Sequence, residues 1–155
     1  MINTTTISTI VIDAIRAEWV AQGHSLTGAF EQSLKAVVTQ GDSILIQIVT
    51  DKEYGIIINE GVKPSEIKHP YAKARIAGLT EYAKRRMGAS DKDAVSIAFA
   101  IATKHKEEGM PLPSTSSFSK TGQRTKYLEA VDEKIRDILK EEIMNTIVLP
   151  NLIRK

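Results

Sequence analysis

The sequence predicts an α+β fold: an N-terminal helix, a small antiparallel sheet of two to four strands, then three helices. Three observations carry this reading. Apolar residues recur at helical spacing near the N-terminus, alternate from Leu26, and return to helical spacing after Pro70. Glycine or proline marks each change, at Gly23, Gly61 and Pro64. A turn, Gln40-Gly41-Asp42-Ser43, separates two short apolar runs in the manner of a hairpin.

Residues 4–22 form the first predicted helix. Ile7, Ile10, Val11, Ala14 and Ile15 give one apolar face, the Thr-rich start offers caps, and Gly23 closes it. From Leu26 to Val38 the pattern has period two, which predicts a strand with one buried face. SILIQIVT follows as its antiparallel partner, with Ile44, Ile46 and Ile48 on one side and Leu45 and Val49 on the other, so both faces are expected to be covered. YGIIINEGVKP reads equally as a third strand or a short helical turn ending at Gly61.

The second half is helical. Pro70 to Met87 carries the stripe Ala72, Ile76, Leu79, Ala83 and Met87, with Pro70 in the first turn and Gly88 as the C-terminal cap. Ser90 caps the next helix, and Asp91 and Asp93 lie at the positive end of its dipole. Its buried stripe is Ala94, Ile97, Ala98, Ile101, Ala102 and His105, and Gly109 ends it. A polar loop containing Phe118 leads to a last helix from about Arg124 to Ile147, with Leu128, Val131, Ile135, Ile138 and Leu139 as its seam. Pro150 is expected to stop it. The chain thus reads as one domain over 1–147 with a tail or arm over 148–155, where Leu149 and Leu152 have no obvious place in a core.

Composition narrows the function. A chain of 155 residues, 42% apolar and 26% charged, can bury a core without covalent staples. With no cysteine there is no disulfide, thiolate metal site or thiol nucleophile. No apolar run approaches the ~18 residues of a membrane span, and the N-terminal stretch, with Asp13 and Glu18 early, does not read as a signal peptide. A net charge of +2 is small for a dedicated nucleic-acid binder.

Catalytic, cofactor and metal patterns are missing. His24, His69 and His105 are scattered, with no second ligand at metal-helix spacing. No phosphate loop, dinucleotide fingerprint or nucleophile elbow occurs. The acid pairs Asp91/Asp93, Glu107/Glu108, Asp132/Glu133 and Glu141/Glu142 fall on caps or solvated helix faces. Lys84, Arg85 and Arg86 complement the end of a helix dipole. With Lys73 and Arg75 they also form a candidate patch for phosphate or an acidic partner, which makes a nucleic-acid-binding module the alternative reading.

The ordered motifs then bring a family into view. HSLTGAFEQSLKAVVTQGDSILIQIVTDKEYGIIINEGVKP resembles the tail-completion and neck proteins of tailed bacteriophages, the group that includes the lambda minor tail protein Z. Ser25-Leu26 through Ser33 stand loosely for that family's G-x-L-x-x-S element. Tyr54-Gly55, Asn59-Glu60 and Gly61 match its Y-G/A-x-x-[VIL]-[ND]-x-G element well. IAGLTEYAKRR, SIAFAIATKHKEEGMPLP and Phe118 follow in the family's order, so the likeness covers about residues 5–145. The leading glycine of the first motif is displaced to Gly23 or Gly28. The resemblance implies a non-enzymatic structural protein of the virion, assembled in the host bacterial cytoplasm. It implies a homo-oligomeric ring at the neck, head–tail connector or tail end. Its neighbours would be connector or tail proteins, with non-specific proximity to DNA in the channel. Tyr54, Gly55, Asn59, Glu60, Gly61, Phe118, Leu149 and Leu152 are the expected assembly or structural positions, and no cofactor is expected.

Overall fold

The computed structural model describes residues 3–112 and 119–153, with side chains described as far as residue 144. Phe118 and the side chains of Leu149 and Leu152 therefore lie outside the described residues. The fold is mixed helix and strand, with one two-stranded antiparallel sheet.

Helix α1 runs Thr4–Ala21. The Asn3 side chain accepts the Thr6 N–H at 3.1 Å and so starts it. Its buried residues extend the expected face to Trp19, and they include two polar ones, Ser8 and Glu18. Helix α6, Tyr127–Ile153, packs against α1. Trp19 meets the Tyr127 ring edge-on at 5.2 Å, while Glu18, one residue earlier, reaches Lys134, farther along α6. The two helices are thus antiparallel. Ile15, Trp19, Phe30, Leu34, Tyr127 and Val131 belong to the hydrophobic core at their junction.

Inside that junction sits a polar network that the apolar pattern did not reveal. Glu18 is 2% exposed and receives hydrogen bonds from Lys134 Nζ and from Gln22 Nε2, the latter at 3.1 Å. Gln22 Nε2 also lies 3.3 Å from the Thr125 carbonyl. A buried carboxylate is tolerable only with such partners.

The strand expected from Leu26 to Val38 is shorter. Gly28, at φ 75°, precedes a single helical segment, α2, Ala29–Ser33. Phe30 and Leu34 are both buried by it, one helical turn apart, while Leu26 stays exposed. Strand β1 is Lys35–Gln40 and pairs antiparallel with β2, Ile44–Val49, from Lys35↔Val49 to Gln40↔Ile44. The expected double coverage of β2 is not found. Ala36 and Ile48 are half-buried where the hairpin leaves α1, but Val37, Leu45 and Val49 on the other face are exposed, Leu45 at 52%. Among the described residues the sheet has two strands, and that outer face stays exposed.

The ambiguous segment resolves as helix α3, Tyr54–Glu60, closed by Gly61 at φ 76°. A 3₁₀ turn at Pro64–Glu66 follows. Helix α4 is Lys73–Met87, so Pro70 falls in the turn before it rather than in its first turn. Gly88 caps α4 in the left-handed conformation, and Ser90 caps α5, Asp91–Glu108, by accepting the Asp93 N–H at 3.2 Å. Ala83 of α4 and Ala94, Ala98 and Ala102 of α5 are fully buried, which lets this helical hairpin close tightly. A bridge between Val62 and Met110, with N···O distances of 2.7 and 2.9 Å, ties the end of α5 to the segment after α3.

Two expectations for the last helix are corrected. Its buried seam is Tyr127, Val131 and Ile135; Leu128 and Ile138 are exposed because they lie one position off that i, i+4 row. The helix also continues through Pro150 to Ile153, so the backbone marks no boundary at 147. A proline inside a helix removes its N–H from the ladder and crowds the carbonyl four residues earlier, a local cost that here does not end the helix.

Candidate functional site

Segment α3 joins the two ends of the core. Its inward positions are Gly55 and Asn59, one turn apart. A Cβ on Gly55 would stand 2.4 Å from Phe30 Cε2, and Phe30 is stacked on Trp19 with centroids 4.0 Å apart. Only glycine admits the Phe30 ring there. The Gly55 carbonyl accepts the Tyr127 hydroxyl at 3.0 Å. Asn59 supplies two acceptors to the start of α6: its carbonyl takes the Lys126 N–H at 2.8 Å, and its Oδ1 takes the Leu128 N–H at 2.9 Å. Lys126, at φ 56°, is the turn residue before that helix. Asn59 therefore caps α6 from across the fold. Tyr54 is partly exposed beside Trp19 and Phe30, and burial is the main influence raising its pKa. Glu60 points to solvent.

The five candidate cations do not form one patch. All lie on α4, but Arg75 and Arg86, eleven positions apart and so on one face, turn inward. Arg75 Nη2 lies 3.4 Å from His105 Nδ1 and 3.5 Å from Met110 Sδ. Arg86 donates to the Ser25 carbonyl at 3.2 Å. Lys84 reaches Asp91 at 2.8 Å, and Arg85 lies 3.9 Å from Glu81. Lys73 stands exposed at the start of the helix.

The inward face of α4 borders a cavity of about 380 Å³. Trp19, Phe30, Tyr54 and Ile58 wall it on the core side. Leu79, Tyr82, Met87 and Ile101 wall it from the α4–α5 hairpin. Its polar lining includes His24, His105, Arg124 and Glu31. Burial first, then the Arg124 charge, lowers His24 to a pKa of about 4. Burial, Arg75 and Arg124 lower His105 to about 4 as well. Both imidazoles are therefore neutral at pH 7. Burial and the neighbouring Arg86 charge also lower Arg124, against a hydrogen bond with Tyr82. Sequence reading placed His105 on a buried stripe but did not find this cluster. Its members come from positions 24 to 124, with no local spacing to announce it.

Among the described residues, no group of three or more His, Cys, Asp or Glu side chains is arranged to hold a metal ion, and no helix is long and apolar enough to cross a membrane. Comparison of the chain with family models, with curated proteins and with solved structures returns no match.

Proposed function

We propose that this chain is a structural subunit of a tailed-phage virion, assembling as a homo-oligomeric ring at the neck, head–tail connector or tail end. The ordered motifs from Ser25 to Phe118 carry the reading. The β1–β2 hairpin supports it: an isolated two-stranded hairpin is marginal in water, yet this one holds Val37, Ile44, Leu45 and Val49 exposed. Apolar side chains beside open strand edges favour pairing with another chain. Identical subunits using such a surface head-to-tail close into a ring when the rotation permits. In this reading the protein works by shared surface, without catalysis or a cofactor.

The test is light scattering after size exclusion, together with imaging of particles. The wild-type chain is expected in closed rings, alone or on a preformed tail or head end. Val37→Lys with Leu45→Lys, both on the exposed face, is expected to leave circular dichroism unchanged and abolish assembly. A wild-type chain that stays monomeric and is missing from particles would refute the proposal.

The nucleic-acid reading is the alternative: Lys73 and Arg85 are exposed on α4, while Arg75 and Arg86 turn inward.

A further inference from the structure

We infer that the cavity between the core and the α4–α5 hairpin is a binding site for a small uncharged aromatic molecule with one hydrogen-bond acceptor, such as an aryl ketone, whose oxygen the His105 Nε2–H receives. The site is independent of the ring proposal.

Its size, about 380 Å³, falls within the range of ligand pockets. Trp19, Phe30 and Tyr54 offer aromatic surface on one side, and Leu79, Met87 and Ile101 offer aliphatic and thioether surface on the other. A flat aromatic body meets both walls. Leu26, Tyr54 and Met87 line the cavity and are also exposed, so it opens to solvent among them.

The described lining carries one guanidinium, Arg124, and one carboxylate, Glu31. Arg124 is already bonded to Tyr82. His24 and His105 are neutral at pH 7, each held at a pKa of about 4, chiefly by burial. The wall therefore presents no net charge. A charged head would give up its water here without gaining a counter-ion of its own.

The tautomer of His105 defines the polar contact. Arg75 Nη2 lies 3.4 Å from His105 Nδ1, and a guanidinium can only donate. Nδ1 is therefore the lone-pair nitrogen, and the neutral ring carries its hydrogen on Nε2. His105 lines the cavity and is 8% exposed. Its Nε2 has no hydrogen-bond partner among the described residues, yet they do not seal it off. His24 differs, because its ring is bonded to Gln22 Oε1 at 3.3 Å and to the Arg124 backbone. A bare donor in a largely apolar wall favours an acceptor oxygen on the molecule that enters.

The full chain at pH 7.5 is titrated by calorimetry with methyl naphthyl ketone, ethylnaphthalene, naphthoate and naphthylmethylammonium. Trp19 is the only tryptophan in the chain and lines the cavity, so its indole N–H resonance is the second readout. The ketone is expected to saturate and to bind roughly tenfold more tightly than the hydrocarbon, the worth of one hydrogen bond to a donor otherwise left bare. Both charged analogues are expected to bind more weakly than the ketone. His105→Phe is expected to bring ketone and hydrocarbon to the same affinity, with His105→Gln, which keeps a donor, between. Leu79→Trp, which fills the cavity without touching a polar group, is expected to weaken all four. Imidazole nitrogen shifts of the wild type are expected to show His105 protonated on Nε2, and to move with the ketone but not with the hydrocarbon. If His105→Phe loses its helical circular dichroism, these wild-type shifts decide. Absence of saturation, equal binding of ketone and hydrocarbon by the wild type, tightest binding by a charged analogue, or His105 protonated on Nδ1 would overturn the assignment.

Discussion

Asn59 offers the sharpest test of how α3 holds the fold together. Replacing it with alanine keeps the backbone bond from Lys126 N–H but removes Oδ1, the acceptor 2.9 Å from Leu128 N. Loss of a helix cap costs about 0.5–2 kcal/mol, and a partly buried donor left without a partner falls toward the low end of about 1–3 kcal/mol. These ranges describe the same lost bond, so they overlap rather than add. A cost of ~1–2 kcal/mol is expected, or roughly 3–8 °C in Tm for a domain of this size. Asn59→Asp keeps the acceptor and sets a negative charge at the positive end of α6, which offsets part of its burial cost. It is expected to lie closer to wild type. Glu60→Ala, on the solvent side of α3, serves as control and is expected within about 0.5 kcal/mol. The assay is urea unfolding, paired with hydrogen exchange at the Leu128 amide, which should accelerate in Asn59→Ala. If Asn59→Ala unfolds at the wild-type midpoint and the Leu128 amide stays protected, capping across the fold is wrong.

Three further outcomes follow from the same geometry. Gly55→Ala forces Phe30 off its Trp19 stack and is expected to cost about 1–3 kcal/mol by overpacking, read as a midpoint shift with a change in Trp19 near-ultraviolet dichroism; an unchanged spectrum and stability would count against it. Lys134→Met strips the charged partner from buried Glu18 and is expected to cost ~1–2 kcal/mol, less than for a fully enclosed pair because the lysine is 58% exposed; unaltered stability would show that water already serves Glu18. Acid should destabilise the fold through His24 and His105, whose folded pKa of about 4 lies below the unfolded 6.5. The unfolded chain takes up protons first, so stability is full above about pH 6.5, falls as pH drops toward 4, and levels off below. With solvent screening allowed for, each histidine contributes about 1 kcal/mol at pH 5. His24→Gln and His105→Gln should each flatten the urea-midpoint profile between pH 7 and 5, and parallel profiles would exclude this source.

The helices with clear punctuation were legible in the sequence. Gly88 and Ser90 mark the α4–α5 junction by the chemistry of their caps, and the alanine stripe of α5 lies where the periodicity puts it. Segment α2 was misread because Leu26, Phe30 and Leu34 satisfy both an alternating pattern and an i, i+4 row. Local periodicity cannot choose between them; the positive φ of Gly28 and the docking of Phe30 on Trp19 do. Segment α3 was ambiguous for the opposite reason. Its buried positions are Gly55 and Asn59, while Ile56 and Ile57 face outward and Ile58 alone of the three isoleucines packs on the core, so its apolar run does not mark its buried side. The motif positions were found, but their structural roles needed contacts to residues about seventy positions away. The cavity lay beyond sequence reading for the same reason.

The β1–β2 hairpin has one more consequence. In most sheets a slip of one residue is forbidden because it would drive a buried face into water. Here the outer face is already wet, so burial enforces alignment through the inner face alone, where Ala36, Ile46 and Ile48 are half-buried. Toward the tip, the loop Gly41–Ser43, closed by the Gly41 N–H to Ser43 carbonyl bond at 3.1 Å, sets the pairing by itself. Alignment is therefore held by one face and the tip, and substitutions on the outer face should leave it in place.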